Sequence, residues 1–124
     1  MTRRSTLARN VRIAFGLSLV IGGLMHGSGY GTVVPLVQDV GNDARVIFPA
    51  LWLGYAWHLV MLGVMVLLVD GGWMLPALVA LVAFGDGLTH VAFFGYSPSE
   101  VLLFTIATLG IAAAWLRRRE PPAA

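Results

Sequence analysis

Asp86 stands in an apolar run, residues 73–94, between Gly85 and Gly87, and His90 follows one helical turn later. An aspartate at the centre of a membrane helix costs about 2.5–3.5 kcal/mol on insertion scales, so it must face a partner or water. Residues four apart share a helix face, which makes His90 its nearest candidate partner. His26 and His58 lie in two other apolar runs. Imidazoles from different helices can ligate haem iron axially, or hold zinc, copper or iron with a carboxylate as ligand or orienting partner. The same groups can exchange protons near neutral pH. A plainer account is that each one only hydrogen-bonds across a bundle and fixes how its helices pack.

The candidate metal set is therefore His26, His58, His90 and Asp86, and the cofactor it would suit is a metal ion or haem. Cysteine is absent, which removes disulfides, thiolate metal sites and dithiol redox chemistry. No nucleophile–base pair, phosphate loop or nucleotide fingerprint is present. An enzyme mechanism of the soluble kind thus has no support.

The elements that must position these residues follow from composition. Hydrophobic residues make up 58% of the chain and charged residues 11%, against about 25% charged in soluble domains. So little charge cannot hydrate a surface, and lipid must cover much of it. A spanning helix needs roughly 20 mostly apolar residues. The runs at about 13–34, 49–69, 73–94 and 99–116 meet or approach that length. The fold expected is an all-α integral membrane protein, one domain over residues 1–124, built as a four-helix antiparallel bundle. An outer loop covers 35–48, an inner turn 70–72 and a second outer loop 95–98.

Local punctuation agrees. Asp70-Gly71-Gly72 reads as a tight turn, which makes spans two and three antiparallel neighbours. Ser97-Pro98-Ser99-Glu100 reads as a capping box with proline at the first helical position. Pro121-Pro122 ends the last helical stretch. Arg3 and Arg4 before an apolar run resemble a secretory leader, but Thr6 stands where an aromatic is expected and no A-x-A cleavage site follows. That run is expected to remain as a span.

Arginine gives the orientation. Arg3, Arg4, Arg9 and Arg12 precede the first span, Arg117, Arg118 and Arg119 follow the last, and the loops contribute Arg45. The positive-inside rule then puts both termini in the cytoplasm. The histidines and Asp86 fall in the middle-to-outer layer of what reads as a bacterial cytoplasmic membrane. A net charge of +2, carried mainly by the termini, gives no argument for nucleic acid. Those arginines are expected to touch anionic headgroups. Asp39, Asp43 and Glu100 read as solvated charges of the outer face.

Gly23, Gly27 and Gly31 form a small-residue stripe on span one, and Ala50 and Gly54 repeat the spacing on span two. Such stripes let helix backbones approach closely, within the chain or between copies. A faint repeat relates Gly23-Leu24-Met25-His26 to Gly87-Leu88-Thr89-His90, as two duplicated hairpins would. The expected function is binding of a metal or haem in the outer half of the bundle. A proton-coupled small transporter or channel is the second class, and a non-catalytic accessory or assembly subunit of a membrane complex the third. The partners expected are the lipid bilayer and, in addition, a second copy or a larger complex.

Overall fold

The computed structural model describes residues 3–36 and 41–119, and these form five helices and no strand. They are α1 (Arg3–Ser28), α2 (Tyr30–Leu36), α3 (Asn42–Leu68), α4 (Met74–Phe94) and α5 (Pro98–Arg118). Four of them are long and apolar enough to cross a membrane, over Thr6–Ser28, Arg45–Leu68, Met74–Ala92 and Pro98–Arg118. Asp39 and the Pro121-Pro122 pair lie outside the described residues.

The first helix ends earlier than its apolar run. Leu36 is still helical, but Gly29 breaks the stretch into α1 and α2. A Cβ at Gly29 would lie 3.2 Å from Cζ2 of Trp52, so the tight approach of that indole favours glycine. The Trp52 Nε1–H donates to the His26 carbonyl at 2.8 Å, satisfying one of the carbonyls that a helix end leaves without a partner. The expected outer loop over 35–48 is also corrected. Residues 42–48 are the first turns of α3, with Asp43 in the opening turn, where a carboxylate favours helix through the macrodipole. Pro49 consequently sits inside α3 rather than at its start. It removes one bond from the helix ladder, having no amide hydrogen.

At the start of α5 the capping box forms. The Ser97 N–H donates to Glu100 Oε2 at 2.6 Å, the Ser99 N–H donates to Ser97 Oγ at 3.3 Å, and Pro98 occupies the first turn. Between α3 and α4, Gly72 adopts φ +59°, a left-handed conformation that glycine enters at little cost.

The helices pack antiparallel in the spatial order α3–α1–α5–α4. Glycine sets the α1–α3 distance: a Cβ on Gly23 would lie 2.6 Å from the Ala56 carbonyl oxygen, and one on Gly63 2.6 Å from that of Gly16. Gly110 of α5 is pressed against Phe15 of α1 and Ala80 of α4, where a Cβ would come within 2.6–2.7 Å of each. Around this junction Phe15, Leu19, Val66, Val79, Ala83, Ile106 and Ala107 form the buried core. Gly31 and Gly54 make no such contact among the described residues, none of which lies within 4 Å of a Cβ on either. The stripe expected from spacing sets no distance between these helices at those two positions. Gly27 would place its Cβ 3.4 Å from that of Ala56, an ordinary contact.

The expectation that spans two and three are packed neighbours is likewise corrected. The Asp70–Gly72 turn joins α3 to α4, yet these two helices meet at few points along their length. If the two hairpins, α1–α3 and α4–α5, were related by a true twofold, the α3–α4 seam would match the close α1–α5 seam. It does not, and the bundle is open there.

The turn, the start of α1, the end of α5 and most arginines share one end of the bundle. Arg12 donates to the Val69 carbonyl at 3.2 Å and Arg117 to Asp70 Oδ1 at 2.7 Å. Arg118 lies over the Trp73 ring and Arg119 over that of Trp115. Asp70 is 70% exposed, and exposed ion pairs contribute little. Arg117→Ala is therefore expected to cost less than about 1 kcal/mol, read as a small shift in the midpoint of unfolding in mixed detergent.

Candidate functional site

A cavity of about 830 Å³, walled chiefly by α3 with contributions from α1, α4 and the start of α5, lies in the half of the bundle away from the Asp70–Gly72 turn. His26 of α1, His58 of α3 and His90 of α4 all line it. Three histidines distant in sequence thus share one space. Its walls are mainly apolar and aromatic, with Phe48, Trp52 and Tyr55 from α3.

Each histidine is held differently. His26 ends α1, and its ring stacks on Trp52 with centroids 3.9 Å apart and planes 20° from parallel. The same indole that holds its carbonyl therefore also fixes its ring. His90 projects from the facing helix, with its ring 6.4 Å from that of His26 and nearly perpendicular to it. Tyr55 packs on both, at 4.9 Å from His26 and 5.2 Å from His90. His58 lies two turns further into the bundle than Trp52.

Asp86 takes a partner other than the one its spacing suggested. Its Oδ2 lies 3.5 Å from His58 Nε2, across the α3–α4 seam, while His90 acts on it electrostatically from one turn away. This distance suits an ion pair but is too long for a well-formed hydrogen bond. Asp86 Oδ2 is buried and has no hydrogen-bond partner, and the same is true of the Tyr55 hydroxyl. Buried polar atoms normally find partners, and one left without invites an explanation such as a bound group.

Glu100 is the largest departure from expectation on the acidic side. It read as a solvated charge, yet it is 1% exposed and borders the cavity. The capping box draws it inward, because its carboxylate must reach back to Ser97 N while Ser99 Oγ bonds its other oxygen at 3.2 Å. Thr105 and Thr108 bond back to the carbonyls of Val101 and Phe104 at 2.8 Å each, and so add nothing to the site.

As for metal, no group of three His, Asp or Glu side chains among the described residues is placed to hold an ion. The four expected ligands form two pairs instead: His58 with Asp86, and His26 facing His90. Between the members of the second pair Tyr55 stands about equally far from each ring, in the position a macrocycle ligated by both would occupy.

Sequence reasoning missed Trp52 and Tyr55 as site residues. The signal was present, since Trp52, Tyr55 and His58 recur every three residues and so lie along one side of a helix. Comparison of the chain with protein-family models, with curated proteins and with solved structures found no match.

Proposed function

We propose that this protein binds a small, largely apolar ring compound carrying a hydroxyl or carbonyl oxygen, in the cavity between α3 and α4. The observation that carries this reading is the cavity itself: aromatic walls joined to a few convergent polar groups, among them the Tyr55 hydroxyl, buried without a hydrogen bond. Aromatic lining with a few placed polar groups is the usual make-up of a small-molecule site. Phe48, Trp52 and Tyr55 offer faces against which a planar ring packs. The Tyr55 hydroxyl donates to the ligand oxygen. A ligand hydroxyl donates a hydrogen bond to His58, whose ring the neighbouring Asp86 carboxylate holds in place.

In the same reading the arginine-rich end lies in the cytoplasm of a bacterial cell, by the positive-inside rule. The cavity then faces the outer half of the membrane, and its ligand arrives through the seam from the bilayer. The metal or haem role expected from the histidines is the outcome that would displace this one.

The test uses protein in lipid nanodiscs with Trp57, Trp73 and Trp115 replaced by Phe, so that emission reports Trp52. Titration with a soluble benzoquinone is expected to quench it saturably. Tyr55→Phe and His58→Ala should each weaken binding about tenfold, equivalent to one hydrogen bond of about 1.4 kcal/mol. Non-saturable quenching, equal in all variants, removes the reading. A Soret band or stoichiometric metal in the purified protein, lost in His58→Ala, replaces it with the metal or haem role.

A further inference from the structure

A second cavity, of about 330 Å³, shares His26, Tyr55, His90 and Ser99 with the first. These four residues are thus a common wall between two chambers of unlike character. Beyond that wall the smaller chamber is aliphatic, with Gly22 and Met25 of α1 facing Leu102 and Ile106 of α5. Met25 and Leu102 are exposed at its rim, on the surface that the apolar composition assigns to lipid.

Gly22 explains the space. Its neighbour Gly23 is required by packing, since a Cβ there would strike the backbone of α3. At Gly22 the nearest atom to a Cβ is Ile106 Cδ1 at 3.6 Å, an ordinary contact. The α1–α5 contact therefore tolerates a side chain at this buried position, and glycine there leaves volume unfilled. Met25 suits such a chamber, because an unbranched thioether adapts to an irregular apolar guest.

We propose that the smaller chamber receives the aliphatic chain of the ligand whose ring occupies the larger one. This rests on the ring-site reading above and narrows it. The ligand is a membrane-soluble quinone or phenol bearing one alkyl or prenyl chain. Its oxygens sit at the shared wall, within reach of the Tyr55 hydroxyl, and its chain runs past Ser99, which lines both chambers, toward Gly22. A chamber this small admits one chain of limited length and does not take the paired chains of a phospholipid.

The experiment compares two quinones with the same dimethoxy-methyl ring, one with a decyl chain and one without. Affinities are taken from Trp52 quenching in nanodiscs and corrected for how each compound partitions into the lipid. Wild type is expected to prefer the chain-bearing compound at least tenfold after that correction. Gly22→Leu, which fills the chamber from inside, should abolish the preference and leave affinity for the chainless ring unchanged. Leu102→Phe, which narrows it from the exposed rim without adding a second emitter, should do the same and guards against misfolding of the first variant. Binding of the chainless ring also reports that each variant is folded. No chain preference in wild type, or one that survives in both filled variants, overturns the inference while leaving the ring site standing. Failure of both compounds to bind wild type removes the ring site and the inference with it.

Discussion

Gly63→Val is expected to prevent α1 and α3 from packing, with most of the protein failing to reach its folded form in detergent. Its Cβ would lie 2.6 Å from the Gly16 carbonyl oxygen and 2.9 Å from the Val20 amide nitrogen. Both atoms belong to backbone, so no rotamer change relieves the clash. The helices must separate, and that also breaks the neighbouring contact of Gly23 with Ala56. In lipid the hydrophobic effect does not hold helices together, and close packing carries much of their association. Overpacking costs about 1–3 kcal/mol where a core can adjust, and this contact has less room than that. Gly31→Val and Gly54→Val are the controls, since a Cβ at either meets none of the described residues within 4 Å. The check is the midpoint of unfolding in mixed detergent: a large loss for Gly63→Val and near-wild-type midpoints for both controls. Equal losses at all three positions would show that glycine acts here through the helix backbone alone.

Asp86→Leu is expected to make the protein more stable and to abolish ligand binding. The carboxylate gains little where it stands, with His58 at 3.5 Å and no hydrogen bond to Oδ2. Exchange for leucine removes an insertion cost of about 2.5–3.5 kcal/mol at the bilayer centre, reduced by the ion pair it gives up and by partial exposure. A net gain of about 1–2 kcal/mol remains. Unfolding in mixed detergent reads the gain, and Trp52 quenching reads the loss of binding. This pairing separates function from packing. If Asp86 merely tied α3 to α4, the leucine variant would be less stable, and the site would lose its reason for a buried acid.

Much of the architecture was legible in the chain because a membrane permits few solutions. Backbone groups in lipid must be satisfied within each segment, so long apolar runs announce helices, and α4 and α5 lie within two residues of their expected bounds. The capping box at Ser97 was equally readable, being a local pattern with local partners. What could not be read is how the helices are arranged around one another. Gly23 and Gly31 have the same type and the same periodicity, yet one touches backbone and the other open space. Asp86 was assigned to His90 because spacing exposes only partners on its own helix, while His58 arrives from another. Glu100 looked solvated since sequence shows that a cap forms but not what covers it. The break at Gly29 depends on Trp52, a residue far along the chain. The three histidines could be flagged singly, and only the open seam brings them to one cavity.

The order of the helices also bears on how the protein is made. Chains emerge from the ribosome N-terminal end first, so α1 and α3 can pair on their glycines before the rest exists. Phe15, however, is closed over by Ala80 and Gly110, and Gly110 belongs to α5, which is synthesised after the other four described helices. Until then α1 carries an uncovered aromatic surface, and His26 and His90 lack the wall that Ser99 and Glu100 complete. The site is thus completed only when α5 takes its place between α1 and α4. A nascent chain stopped before α5 would hold all three histidines and still lack that wall.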